Sequence, residues 1–282
     1  MSENLLEIRD LVVRYGGKRG GKTVIEDVSL DLRAGETVSL VGESGSGKTT
    51  IGRAILGLAP VTGGTISFRG QTISNIPRNR RRQVARDIQV IFQDPYSSLN
   101  PSMTIENILV EPLRAAGMTE GRARVRELLD AVGMPADSGT RYPREFSGGQ
   151  RQRIAIARAL AMEPSVIVCD EPTSALDVTT QSRVLSLLAE LQKETGVAYL
   201  FISHDLGVVQ AISDRIAVLR GGRIVELGEA RQVATNPQHP YTRRLQMSAP
   251  VADPPRQRAR RAERARVLAG ETAAKGPGLT VS

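Results

Sequence analysis

Thr37-Val-Ser-Leu-Val-Gly42-Glu-Ser-Gly-Ser-Gly-Lys48-Thr49-Thr50 holds a short apolar run, a glycine-rich turn and the start of a helical pattern that continues to Leu58. The run Thr37–Val41 predicts a strand, and Gly42–Thr49 fits the phosphate-binding P-loop. Such a loop works because glycines let backbone N–H groups curl around phosphate oxygens at the positive end of a helix. Gly42, Ser44, Gly45, Ser46, Gly47 and Thr50 are therefore expected to line a nucleotide's phosphates. Lys48 would reach the β- and γ-phosphates, and the Thr49 hydroxyl would bind Mg²⁺. This motif predicts phosphate binding in a strand–loop–helix unit, and it does not choose among kinases, GTPases and transporters.

Working outward, Leu6–Tyr15 and Val24–Leu32 alternate partially and predict two antiparallel strands joined by a mobile loop at Gly16–Lys22. Ile88–Phe92, Val166–Cys169, Ala198–Ile202 and Ile216–Leu219 are short, continuously apolar strand candidates, as expected in a mostly parallel sheet covered on both faces. Ile105–Ala116 and Arg122–Val132 read as helices between proline-marked breaks, which suggests an inserted helical subdomain over about 95–145. The expected fold is α/β: a P-loop NTPase core with a mostly parallel sheet, an N-terminal antiparallel β subdomain and that insert. Residues 1–235 are expected to form the nucleotide-binding domain, 236–255 an extension and 256–282 a basic tail.

The net charge of +8 is uneven. Beyond residue 250, Arg256, Arg258, Arg260, Arg261, Arg264, Arg266 and Lys275 face only Asp253, Glu263 and Glu271. Rich in Ala, Pro and Gly and lacking aromatics, this tail is expected to be disordered and solvated. Cys169 is the only cysteine, so Cys-built metal or iron–sulfur sites and intramolecular disulfides are excluded. Its place in an apolar run predicts core packing. No stretch approaches the roughly 18 apolar residues of a membrane span, and the start lacks a signal-peptide pattern. A cytoplasmic chain is expected.

Ser165-Val-Ile-Val-Cys-Asp170-Glu171 is an apolar strand that ends in two acids. In open α/β sheets ligands sit at that end, so Asp170 is placed for Mg²⁺ and Glu171 as the general base for an attacking water. Ser147-Gly148-Gly149-Gln150 opens a long helical pattern and predicts a second phosphate-facing helix N-terminus. One nucleotide seldom needs two such ends, so the second suggests a partner's nucleotide.

Together these motifs resemble the nucleotide-binding subunit of ABC transporters, over roughly residues 5–250. Gln93 in Phe-Gln-Asp-Pro matches that family's Q-loop, Ser174-Ala-Leu-Asp177 its D-loop, and His204 in Ile-Ser-His-Asp its H-loop. Tyr15 matches the aromatic that stacks on adenine. The resemblance implies ATP hydrolysis with Mg²⁺. Gln93 would serve Mg²⁺ or the water, His204 the γ-phosphate, and Asp177 would communicate across a head-to-tail dimer. Each P-loop would then be closed by the other subunit's Ser147 and Gly149.

Three further segments resemble the dipeptide/oligopeptide importer branch, whose relatives also serve nickel and other small solutes, some glycosidic or antibiotic-like. These are Gln93–Pro101, Tyr142-Pro-Arg-Glu-Phe-Ser with Phe146 in place of the commoner Leu, and Asn236-Pro-Gln-His-Pro-Tyr-Thr. His239 in the last is expected to shape a turn. The resemblance implies a second ATPase subunit, identical or paralogous, two membrane permease subunits and an extracytoplasmic binding protein. It also implies peripheral residence on the cytoplasmic face of the inner membrane. Some members carry an iron–sulfur cluster in this extension, and none is expected here for want of cysteines. A nucleic-acid- or ribosome-directed ABC ATPase is disfavoured by the lack of inserted coiled coils, zinc modules or a tandem repeat, so no nucleic-acid partner is expected. A hydrolysis-dead regulatory subunit is disfavoured because Lys48, Asp170, Glu171 and His204 are all present.

Overall fold

The computed structural model describes residues 4–16, 20–118 and 121–248. The basic tail from Arg256 and part of the expected Gly16–Lys22 loop lie outside them. In chain order the elements are β1 (Asn4–Tyr15), β2 (Lys22–Arg33), β3 (Thr37–Val41), α1 (Lys48–Ile55), β4 (Val61–Phe68), β5 (Gln71–Thr72), α2 (Arg78–Asp87) and β6 (Ile88–Ile91). Then follow α3 (Pro95–Ser98), α4 (Ile105–Ala115), α5 (Arg122–Ala131), two 3₁₀ turns at Ala136–Thr140 and Pro143–Glu145, α6 (Gly148–Leu160) and β7 (Val166–Asp170). The chain continues through α7 (Val178–Thr195), β8 (Ala198–Ser203), α8 (Leu206–Ile212), β9 (Arg215–Arg220), β10 (Arg223–Glu229), α9 (Ala230–Thr235) and α10 (Pro240–Ser248).

Two sheets result. β2-β1-β4-β5 form an antiparallel sheet, so the two strands expected at the N-terminus gain two more from Val61–Thr72. The larger sheet runs β10-β9-β3-β8-β7-β6, parallel throughout except for the antiparallel edge strand β10.

Its continuously apolar strands follow from burial on both faces. Val38, Leu40, Val166, Val168, Ala198, Leu200, Ile202, Ala217 and Leu219 pack toward α1 and the antiparallel sheet. The alternating residues Val41, Ile167, Cys169, Tyr199, Phe201, Ile216 and Val218 pack toward the helices of the insert, α6 and α7. Period-two side-chain direction thus divides one strand between two cores. Tyr199 is fully buried, and its hydroxyl donates to the Leu188 carbonyl at 3.1 Å, satisfying its one polar atom. Burial pushes the Cys169 thiol well above its usual range, and the neighbouring Asp170 charge adds to this, which suits a packing role.

The two sheets are also pinned by charge. Arg215 on β9 donates to Asp31 on β2 and to Glu36, each at 3.1 Å. Helix α1 ends at Ile55, three residues before the expected Leu58, because the N–H groups of Leu58 and Ala59 both turn back to the Arg53 carbonyl around Gly57 at φ +73°. The helical insert is present as α3 to α5, and α10 in the Asn236–Ser248 segment packs back on the domain with Tyr241 buried.

Candidate active site

Parallel strands in register end together, and here four of them deliver their next residues to one edge. Val41 of β3 pairs with Ser203 of β8, Ile202 with Asp170 of β7, and Cys169 with Ile91 of β6. The Gly42–Thr49 loop, His204, Asp170 with Glu171, and Gln93 therefore converge although the sequence separates them widely.

The loop is a backbone cradle. Gly47 sits at φ +110°, a conformation that favours glycine, and a Cβ there would also crowd Ile25 Cδ1 at 2.5 Å. A Cβ at Gly42 would run into the Leu219 carbonyl oxygen. Lys48 is buried, and its Nζ donates to the carbonyl oxygens of Gly42 at 2.8 Å and Glu43 at 3.0 Å. Burial holds its pKa below the ordinary lysine value, with the Glu171 and Asp170 charges working the other way. Among the described residues the buried Ser46 hydroxyl has no hydrogen-bond partner, and it lies in the cradle as a polar atom able to bond a phosphate oxygen. Ser44 is exposed on the loop and Thr50 half-buried in the first turn of α1.

Thr49 Oγ1 donates to Asp170 Oδ1 at 2.9 Å. A hydroxyl and a carboxylate aimed at one point are hard oxygen donors, and they fit Mg²⁺, which takes one or two carboxylates and completes its octahedron with water and substrate phosphates. Among the described residues no cluster of three or more His, Cys, Asp or Glu offers a fuller cage. Desolvation raises the Asp170 pKa, against the Thr49 hydrogen bond that lowers it; Glu171 adds to the rise, while Arg53 and Lys48 oppose it.

Glu171 is the hub. It lies at φ +48°, an uncommon conformation for a residue with a side chain, and its N–H donates to the Ile202 carbonyl at 2.9 Å. Gln93 Nε2 donates to its Oε2 at 3.2 Å, which leaves the Gln93 amide oxygen free to serve a metal or a water. His204 Nδ1 lies 3.2 Å from the same oxygen. A carboxylate held in this way can accept a proton from a water placed before it.

The signature residues form a second cluster. Ser147 caps α6, with its Oγ accepting from Gln150 N at 3.4 Å while Gln150 Oε1 accepts from Ser147 N at 2.9 Å. Gln150 is thus engaged in a capping box. Gly149 presses so closely on Thr180 that a Cβ would overlap its methyl group. Thr180 in turn donates N–H and hydroxyl to Asp177 at 3.0 and 2.7 Å. The Asp177 carboxyl is held below the usual range by the Thr180 N–H first and its hydroxyl second. Gly148 is uncrowded beside Tyr96 and Leu176, and Tyr15 ends β1 half-exposed.

The two clusters are joined mechanically. Asp94 caps the short α3 through the N–H groups of Tyr96 and Ser97. The Arg151 guanidinium of α6 lies 4.1 Å over the Tyr96 ring, and Arg158 of α6 donates to the Ser98 carbonyl. Phe146, buried before the signature, carries the Arg141 guanidinium 4.7 Å above its ring, a contact the commoner leucine could not offer.

Sequence reading missed Thr180, because helix periodicity gives no sign of a neighbour across two elements. It also missed Tyr241, whose hydroxyl oxygen accepts from Glu43 N at 3.1 Å. His239, expected to shape a turn, accepts from Tyr241 N through Nδ1 at 3.2 Å.

Residues 25–174 match the family described as ABC transporter, and residues 225–276 match the oligopeptide/dipeptide transporter C-terminal region. The glutathione import ATP-binding proteins GsiA of Escherichia coli (strain K12) and of Shigella dysenteriae serotype 1 are 52% identical over 269 residues, covering 92% of this chain. This chain spans only 43% of the length of those relatives. Among solved structures, cbiO1 of Clostridium perfringens, part of the ABC transporter complex cbiONQ, is similar with a TM-score of 0.74 at 27% identity, covering 83% of this chain and 92% of that one. The ATP-binding cassette MJ0796, a dimer in a post-hydrolysis state bound to ADP and Pi, is similar with a TM-score of 0.70 at 31% identity, covering 80% and 99%.

Proposed function

This chain belongs to the ABC transporter family, and from that premise we propose that it is the ATP-binding and ATP-hydrolysing subunit of an importer of dipeptides or oligopeptides. The observation that carries the reading is the convergence of Lys48, Thr49, Asp170, Glu171, Gln93 and His204 on one sheet edge, with Gln93 and His204 both at Glu171 Oε2.

In this reading the cradle N–H groups and Lys48 hold the β- and γ-phosphates of ATP, and Lys48 releases its two loop carbonyls to do so. Glu171 takes the proton of the attacking water, and Gln93 and His204 fix the carboxylate's orientation. Thr49, Asp170 and Gln93 would hold Mg²⁺, which when bound would supply charge neutralisation at the phosphates. Tyr15 supports the adenine. Ser147 and Gly149 face the nucleotide of a second ATPase subunit, as the dimeric neighbour suggests. Asp177, tied to Thr180 against Gly149, would communicate across that interface.

Peptide import is supported by the C-terminal match over residues 225–276 and by relatives that import glutathione, itself a small peptide. Among the described residues no helix is long and apolar enough to cross a membrane, so translocation would fall to permease subunits. The subunit would then sit at the cytoplasmic face, contacting them through the α3 region.

The test is reconstitution in vesicles of the chain with its permeases and binding protein. ATP-dependent uptake of labelled glutathione or di- and oligopeptides, lost in Lys48→Ala, is the expected result. ATP hydrolysis with uptake of nickel and no peptide would overturn the substrate assignment, and no ATP hydrolysis by the assembled complex would overturn the reading entirely.

A further inference from the structure

Gly42 C=O and Glu43 N–H belong to one planar, trans peptide group, so its oxygen and hydrogen point to opposite sides. The oxygen receives Lys48 Nζ at 2.8 Å, and the N–H donates to the Tyr241 phenolic oxygen at 3.1 Å. Rotation of this peptide therefore breaks both contacts together. We propose that Tyr241 is a positioning residue for the Gly42–Glu43 peptide of the phosphate-binding loop, so that the C-terminal extension is a working part of that loop.

Tyr241 is itself well fixed. It is 4% exposed, and the Arg220 guanidinium lies 5.0 Å over its ring. Its N–H rests on His239 Nδ1, while the N–H groups of Gln238 and His239 donate to the Glu226 carboxylate of β10 at 2.8 and 3.0 Å. At the other end of α10, Gln246 Nε2 donates to the Ala234 carbonyl at 2.7 Å. The extension is thus clamped to the β9–β10 hairpin. That hairpin also braces the loop from behind, with Gly222 N donating to the Ser46 carbonyl at 3.0 Å and the Leu219 carbonyl packed on Gly42.

The arrangement has a direct chemical consequence. When Lys48 turns to a phosphate it gives up its loop carbonyls, and the Gly42–Glu43 peptide loses its restraint on the oxygen side. Tyr241 still holds the N–H side, so the loop stays in the shape that receives the phosphates. Without the phenolic oxygen the part-buried N–H takes another acceptor, and the loop samples orientations that must be reversed before ATP binds.

This inference rests on the reading of the loop as the ATP site. The test is Tyr241→Phe in the full chain, which keeps the ring beneath Arg220 and removes only the oxygen. The dissociation constant for ATP should rise roughly two- to tenfold, the range of one neutral hydrogen bond. In the assembled transporter KM for ATP should rise by more than kcat falls. Amide exchange at Glu43 should accelerate at least about threefold while strand β3 keeps its protection, which separates a local release from loss of fold. If the native chain fails to bind ATP, the site reading fails. If the native chain binds ATP and Tyr241→Phe matches it in affinity and in Glu43 exchange, the positioning role is overturned.

Discussion

Replacing Glu171 with glutamine exchanges one carboxylate oxygen for an amide nitrogen and leaves the chain shape alone. Both residues must accept φ +48°, so the backbone strain of roughly 1–2 kcal/mol is common to native and variant and cancels. The variant's amide oxygen can still accept from Gln93 Nε2, which lies 3.2 Å from the native Oε2. Folding stability should therefore change by no more than about 0.5 kcal/mol. What the amide cannot do is accept a proton from water. Loss of a positioned general base removes about 10²–10⁴ in rate, roughly 2.7–5.4 kcal/mol of barrier. ATP affinity should hold or tighten, because Lys48 loses a competing negative charge beside it. The measurements are equilibrium ATP binding, single-turnover hydrolysis and urea unfolding, with every active site of the assembled transporter carrying the change. Glu171→Gln with intact binding and hydrolysis within threefold of native would refute the assignment of Glu171 as base.

Gly42→Ala places a Cβ on the Leu219 carbonyl, backbone against backbone, and should cost about 1–3 kcal/mol in urea unfolding and abolish ATP binding; native affinity would contradict the cradle. Arg215→Ala strands Asp31 and Glu36 between the two sheets and should cost about 1–2 kcal/mol, discounted for partial exposure, with ATP affinity nearly native. Removal of the residues after Pro255 should leave the ATPase rate of the assembled transporter intact, since all assigned phosphate groups precede them; a large loss with intact assembly would reveal a regulatory tail. Substitutions on the exposed face of Tyr96–Asn100 should lower peptide uptake in vesicles more than ATP affinity, because Tyr96 and Ser98 bond to α6 and lead from Gln93 toward the signature. Unchanged uptake across several disruptive changes there would exclude this face as the permease contact.

What could be read from sequence, and what could not, follows from the topology. Val166–Cys169, Ala198–Ile202 and Ile216–Leu219 announce themselves as strands because both faces are buried and every position is apolar. Once they are parallel, the residues that follow each strand must lie at the same edge, so Glu171 and His204, directly after β7 and β8, and Gln93, two residues past the end of β6, come beside the Lys48 loop. Val61–Phe68 escaped because Gly63 and Gly64 interrupt its alternation, and α2 escaped because it buries none of its residues and so has no apolar period. Gln150 was legible as a helix start, but its side chain is committed to Ser147, a choice made by capping geometry after the helix exists. Tyr241 comes to Glu43 from 198 residues away on a helix that follows no sheet strand to this edge, so the edge rule that locates the other groups says nothing about it. Of the residues carried to the site by strand ends, Asp170 and Glu171 are legible from pattern alone, whereas Gln93 and His204 are assigned through the family resemblance. Those carried by helices folded back over the sheet need coordinates, and in this chain that difference separates Lys48 from the tyrosine that braces its loop.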